Sequence, residues 1–217
     1  MVYLEETLLL HDHRAQNNAN DSIFPLEALI QGFTQFKGIG YKTAQRLALE
    51  AVTLPLETVA KFSKTLVETK QNIRFCSDCY YLTWQDKCHV CLDASRTRDQ
   101  LCVVSEPKDV LAIERTHSYK GLYHVLGGVI SPLDGIYPEG LRFKELMQRV
   151  KQLNVTKIIM AVSPTVEGDT TTLYLKDMLS HTNISLYKLA QGIPIGSDLA
   201  YLDEVTIDKA FQGMMPL

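Results

Sequence analysis

The chain has 217 residues, 46% of them hydrophobic and 22% charged. That excludes a wholly disordered or collagen-like chain and leaves room for one large domain or two to three small ones. No run approaches ~18 consecutive apolar residues, so a membrane-spanning helix is excluded. The N-terminal MVYLEETLLLHDH has a short apolar patch preceded by two acids and followed by no small-residue cleavage site, so a secretory signal is not expected. A reducing cytoplasm is then the expected setting, and the five cysteines are expected as thiols or metal ligands. The net charge is −3, from 22 basic and 25 acidic residues, which argues against indiscriminate coating of nucleic acid. Residues 26–75 nonetheless carry seven Lys/Arg against four Asp/Glu, and residues 103–217 carry eleven against thirteen. The basic N-terminal block fits local phosphate contact, with ordinary scatter as the alternative.

Residues 1–24 read as a flexible N-terminal extension, because HDHRAQNNANDS has no apolar period with which to offset its ordering entropy. His11, Asp12 and His13 could touch a metal, but neighbours in a flexible tail do not preorganise a site, and solvated side chains are expected. Pro25 suits a helix start, and Leu26, Leu29, Ile30, Phe33 and Phe36 mark one apolar face. A second helix, KTAQRLALEAV, carries Ala44, Leu47, Ala48 and Val52 on one face. A third follows Pro55, with Leu56, Val59, Phe62, Leu66 and Ile73 expected inward. From Leu101 the texture changes to β-rich runs alternating with helical ones: strands at 101–105, 123–130, 156–163 and 185–190, separated by DVLAIERT, LRFKELMQRVKQL and TTTLYLKDMLSHT. This rhythm predicts a parallel sheet with covering helices. The last segment opens with a Gly/Pro turn and ends in a short helix.

Three motifs carry chemistry. Gly38 and Gly40 flank Ile39 between two amphipathic helices, allowing a sharp turn and leaving backbone N–H groups uncovered at the start of the second helix, where an anion is favoured. Lys42 and Arg46, four apart, share a face of that helix. The unit resembles a helix-hairpin-helix, which holds the DNA backbone without reading sequence; a plain αα-hairpin is the alternative. Next, Cys76-x-x-Cys79 and Cys88-x-x-Cys91 are separated by eight residues. Two such pairs can wrap one Zn²⁺ tetrahedrally, and four thiolates leave no open position, so the site should be structural. A thioredoxin-like pair would need only one CxxC, and disulfides are disfavoured by the expected setting. His89 is expected as a bystander and Cys102 as a small buried hydrophobe. Finally, Glu167 and Asp169 follow a strand end. In extended backbone both point one way and could hold Mg²⁺, with Glu106 and Asp134 at neighbouring strand ends. The alternative is helix capping, as Asp169 could supply for the TTTLYL helix.

The order of parts closely resembles the RecR family of bacterial recombination mediators over residues 25–212. The resemblance is carried by Lys42-Thr43-Ala44-Gln45-Arg46 after the glycine turn, the four cysteines, Cys102-Val103-Val104, Ser131-Pro132-Leu133-Asp134-Gly135-Ile136, Pro164-Thr165-Val166-Glu167-Gly168 and Gly192-Ile193-Pro194-Ile195-Gly196. It implies an α+β chain of several parts: a helix-hairpin-helix region at 25–75, a four-cysteine zinc finger at 76–100, an α/β Toprim domain with a parallel sheet at 101–190, and a C-terminal oligomerisation segment at 191–217. It further implies a non-catalytic DNA-binding clamp of the bacterial cytoplasm, associated with the nucleoid. The clamp would be a homodimer or a ring-shaped homotetramer on single- or double-stranded DNA, working with RecO and RecF to load RecA on gapped or single-stranded DNA. On matching positions, Gly38, Gly40, Lys42 and Arg46 would meet DNA, Cys76, Cys79, Cys88 and Cys91 would hold one structural Zn²⁺, and Glu167 and Asp169 would meet RecO. The sequence departs from the family in the stretch from Leu4 to Phe24, in Tyr137 where Gly is common, and in a C-terminus, FQGMMPL, without basic residues. It also reads Val104-Ser105-Glu106 where the family's strand ends in Val-Val-Glu. That one-residue displacement turns the acid to the other face of a strand and removes the first carboxylate of a three-acid Mg²⁺ site. The competing readings are a Mg²⁺-dependent Toprim nuclease or nucleotidyl transferase, which Ser105 argues against, and a protein adaptor without DNA contact.

Overall fold

Phe24 opens the first helix of the computed structural model, which describes residues 24–215. The extension read at 1–24, with His11, Asp12 and His13, lies outside the described residues except for Phe24. The chain divides into two compact units, one running to Gln71 and one from Asn72.

The first unit contains α1 (Phe24–Thr34), α2 (Tyr41–Thr53) and α3 (Leu56–Asn72). Ala44 and Ala48 on α2 are small enough to let α1 approach closely. They pack with Ile30 as a small buried cluster, against which Leu26, Phe33 and Ile39 are half-buried. Two expectations are corrected. Leu29, Phe36 and Val52 are exposed despite lying on the periodic faces. The expected inward face of α3 is not inward: the helix buries no residue, and Leu56, Phe62, Leu66 and Ile73 are all exposed. Periodicity reports that an apolar face exists, not what covers it.

The second unit is built on a four-stranded sheet in the order β4-β3-β5-β6, with β3 (Thr97–Val104), β4 (Gly121–Val125), β5 (Lys157–Ala161) and β6 (Ser185–Lys188). Every pairing is parallel, and Cys102 sits between Tyr123 and Ile159. Parallel strands need crossovers, supplied by α5 (Pro107–Glu114), α6 (Phe143–Leu153) and α7 (Val166–Met178). β4 ends at Val125, earlier than the apolar run YHVLGGVI suggests, because Gly127 and Gly128 adopt positive φ and carry the chain out of the sheet. Leu101–Val104 and all of β4 are buried, as befits strands covered on both faces. The core joins them to Val110, Leu146, Val150 and Leu175 of the three helices.

β4 is an edge strand, yet it is fully buried. Its cover is a module unseen in the hydrophobic pattern: the two-residue strands β1 (Arg74–Phe75) and β2 (Leu82–Thr83), paired antiparallel, and the single turn α4 (His89–Leu92). The Val125 N–H donates to the Cys79 carbonyl at 2.9 Å, so the module occupies hydrogen-bonding positions that an open edge would leave free. Beyond β6, the short helix α8 (Glu204–Gln212) starts at Asp203, whose carboxylate accepts from the Thr206 N–H at 2.9 Å. The C-terminal segment has no buried residue from Gln191 to Met215.

Two predictions follow from buried polar atoms. Thr171 is buried on α7; its hydroxyl accepts from the Ile130 N–H at 2.8 Å and donates to the Glu167 carbonyl at 2.6 Å. Thr171→Val keeps the shape and orphans the Ile130 N–H, so urea unfolding should show a loss of about 1–3 kcal/mol; an unchanged midpoint contradicts this. His124 on β4 is fully buried, with Nε2–H donating to the Arg142 carbonyl at 3.0 Å and Nδ1 unpartnered. Burial pushes its pKa from 6.5 down to about 4. Between those values the unfolded chain holds the extra proton, so this group removes stability as pH falls from 6.5 towards 4 and has no effect above 6.5. The full loss is on the order of 3 kcal/mol. His124→Phe should flatten that part of the stability profile.

Candidate metal centre and nucleic-acid interface

The CxxC spacing produces two tight turns. In the first, Tyr80 takes a left-handed conformation and its N–H donates to the Cys76 carbonyl at 3.0 Å, while the Cys76 N–H donates to the Tyr81 carbonyl at 2.7 Å. In the second, Cys88 precedes α4 in extended backbone and Cys91 lies within that turn. All four thiols are buried, and the sulfur atoms lie within 4.8 Å of one another. Cys79 and Cys88 are 3.4 Å apart, Sγ to Sγ. A tetrahedral zinc with Zn–S near 2.3 Å spaces its sulfurs about 3.8 Å apart, so the cluster can close on one ion with small adjustments. Two further contacts suit thiolates: the Cys88 N–H donates to Cys76 Sγ at 3.3 Å, and Arg149 Nη2 donates to Cys91 Sγ at 3.2 Å. The four cysteines can therefore hold a metal ion, and an all-sulfur tetrahedral set is the donor chemistry of zinc or an iron–sulfur centre. His89 stays outside the cluster, edge-on to Tyr81 with ring centroids 6.1 Å apart. Cys102 is a buried core thiol whose pKa burial pushes up to about 12.

Arginines that no spacing rule singled out join this module to the sheet. Arg149 on α6 is buried, and its Nη1 donates to the carbonyls of Asp78 in the first turn (2.8 Å) and Tyr123 on β4 (2.7 Å). Arg142 lies 5.0 Å from the Phe75 ring centroid and 4.6 Å from that of Tyr80. Arg96, between module and sheet, donates to both carboxylate oxygens of Glu114, which also accepts from the Tyr123 hydroxyl at 2.7 Å. A basic residue near an apolar strand offers no local clue that it will be buried against a carbonyl 71 residues away.

The glycine hairpin is built from residues that leave its turn open. Gly38 sits at φ +84, a conformation that a β-carbon would strain. The Ile39 N–H donates to the Phe36 carbonyl at 3.0 Å, turning the Ile39 side chain back onto the helix pair. Gly40 is the residue before α2, in extended backbone, and no side chain caps the helix there. A β-carbon at Gly40 would meet nothing within 4 Å, so the space beside the start of α2 is free of other side chains there. Lys42 and Arg46 are exposed, and neither has a carboxylate partner among the described residues. Lys37, in the turn itself, is exposed too and adds a third cation that the i,i+4 argument did not include.

The acidic residues correct the extended-backbone reading. Glu167 and Asp169 both lie in the first turn of α7, where two residues apart means about 200° around the axis, so they diverge. Asp169 does not cap the helix. Thr165 does, accepting from the Gly168 N–H at 3.2 Å, while Asp169 pairs with Lys188 at the end of β6. Gly168 is required there: a β-carbon would lie 2.0 Å from the Ser163 carbonyl oxygen. Glu106 precedes α5, pairs with Lys108 at 2.8 Å and donates its N–H to Asp109 at 2.8 Å; Asp134 accepts from the Ser131 hydroxyl at 2.6 Å. Among the described residues, the four cysteines are the one group of three or more ligating side chains that converge; these acids do not.

The comparisons with known proteins bear on both halves of the chain. A family profile described as the Toprim domain matches residues 99–190, and one described as the RecR C-terminal region matches residues 192–213. The chain is 46% identical over 194 residues to the "Recombination protein RecR" of Synechococcus elongatus, covering 89% of this chain and 96% of that protein. It is 46% identical over 189 residues to the protein of the same name from Pelotomaculum thermopropionicum, covering 87% and 94%. With near-full-length identity that spans the glycine hairpin, the cysteine pairs and the parallel sheet alike, the chain belongs to the RecR family.

Proposed function

We propose that this chain is a non-catalytic recombination and repair mediator that holds DNA through the α1–α2 hairpin. The observation that carries this reading is the pairing of α2 amides that no side chain caps after Gly40 with two exposed cations, Lys42 and Arg46, that have no carboxylate partner among the described residues. Amide dipoles and free cations together suit phosphates of any sequence. The relatives' name, Recombination protein, supports the same role. One Zn²⁺ on Cys76, Cys79, Cys88 and Cys91 is structural, since four thiolates leave no site for a reacting water. Its binding contributes folding free energy to a module with strands of only two residues.

Glu167 and Asp169, on the first turn of α7 at the carboxyl end of the sheet, form part of the surface that meets RecO, and RecF and RecA complete the loading pathway on gapped or single-stranded DNA. Assembly as a homodimer or homotetramer ring is supported by apolar side chains that one chain leaves in water: Leu56, Phe62 and Leu66 on α3, and Ile195, Tyr201 and Phe211 in the C-terminal segment. A ring converts several weak phosphate contacts into a persistent hold by effective concentration. The setting is the bacterial cytoplasm; among the described residues no helix is long and apolar enough to cross a membrane.

The test is DNA binding by the doubly substituted Lys42→Ala, Arg46→Ala chain across a salt series. Affinity should fall alike on unrelated sequences, and the slope of log K against log salt should shrink by about 2. Wild-type affinity and slope in the variant would remove the hairpin from the mechanism.

A further inference from the structure

Arg149 poses an electrostatic problem. Its side chain belongs to a residue only 5% exposed, and among the described residues no carboxylate lies within ion-pair distance of it. The carbonyls of Asp78 and Tyr123 accept from Nη1, but they are dipoles and bring no compensating charge. A buried cation needs an anion nearby. Its third partner supplies one: Cys91 Sγ, 3.2 Å from Nη2, is a member of the four-sulfur cluster. Four thiolates around Zn²⁺ carry a net charge of −2, itself too costly to bury alone.

We propose that Arg149 is the buried counter-cation of the zinc tetrathiolate and the residue that sets how firmly the metal is held. This rests on zinc occupying the four cysteines. Arg149 offsets part of the centre's negative charge, and its donor to Cys91 makes that thiolate a poorer base towards protons and competing metals. Through the Asp78 carbonyl it grips the first cysteine turn, and through Cys91 it grips the second. Through the Tyr123 carbonyl it fixes both to β4. The position of Cys91 gives this weight. At 6% exposure it is the most accessible of the four ligands. With Arg149 it borders a cleft of about 360 Å³ lined also by Lys87, Arg98, Glu145 and Gln148. Of the other charges there, Lys87 pairs with Asp78 at 3.0 Å, Arg98 and Lys87 are exposed, and Glu145, half-buried one turn before Arg149 on α6, makes no ion pair with it. A chelator or oxidant entering the cleft meets the metal shell at Cys91, beside the guanidinium.

The experiment compares full-length wild type with Arg149→Lys, Arg149→Gln and Arg149→Met. Zinc per chain is measured by elemental analysis, and zinc release to a colorimetric chelator is timed. The Gln and Met variants should release zinc about 10- to 100-fold faster, while Arg149→Lys, which keeps the charge and loses the planar fork, should stay close to wild type. In the Co²⁺-substituted proteins, the sulfur-to-cobalt charge-transfer band should move to lower energy in the Met variant, because the Cys91 sulfur loses its donor. That shift reports on the thiolate, and packing loss alone would not produce it. If Arg149→Met fails to fold, the neutral Gln variant carries the comparison. Equal release rates and an unmoved band overturn the role of Arg149 while leaving the zinc reading intact, as does a Lys variant that releases as fast as the neutral ones. A wild-type chain that carries no zinc overturns both.

Discussion

A guanidinium and four sulfurs share one desolvated space at the edge of a parallel sheet, and the cover of β4 in the second unit is tied together there. The β1–β2 hairpin and the single turn α4 are too small to form a core of their own; they pack onto that of the sheet, and their four buried cysteines converge so that they can hold a metal ion. The same module then covers β4, an edge strand that would otherwise present open hydrogen-bonding groups. Arg149 links the two tasks, because its three hydrogen bonds end on one turn of the module, on the other, and on the strand. The cysteine cluster and the sheet edge thus share a single buried cation.

The hairpin works by the opposite device, which is to leave groups uncommitted. Small alanines bring α1 and α2 together around Ile30, and the left-handed Gly38 turns the chain without covering the start of α2. Among the described residues its cations find no carboxylate partner. Hydrated cations cost the monomer little and stay available to an anion, whereas the apolar surface of α3 gains nothing by facing water.

At the carboxyl end of the sheet, three of the four acids are held by local chemistry. Glu106 faces Lys108, Asp134 takes the Ser131 hydroxyl, and Asp169 takes Lys188. The displaced acid in Val104-Ser105-Glu106 has become a helix-start residue in a reciprocal arrangement with Asp109. These carboxylates are arranged as separate charged points, whereas a metal clamp needs oxygens aimed at a common point.

Much of this was readable from residues alone, where the physics is local. Helices α1 and α2 follow from apolar spacing, the turn from Gly38 and Gly40, the alternation of strand and helix from period changes after Leu101, and the metal centre from two CxxC pairs whose short loops leave their sulfurs little choice of direction. Other features depend on which elements meet, and a one-dimensional period does not record that. The apolar positions of α3 read as a core face and are exposed; Glu167 and Asp169 read as parallel neighbours and diverge, because the helix starts at Val166 under the Thr165 cap. Arg149 and Arg142 look like solvated helix charges, and only contacts with residues tens of positions away make one a buried tie and the other a cover for two aromatic rings. The sequence by itself determined the local geometry, since backbone sterics and i,i+3 and i,i+4 spacing act within a few residues. The tertiary structure decided burial, edge coverage and charge compensation, since desolvation is a property of the surroundings assembled from distant parts of the chain.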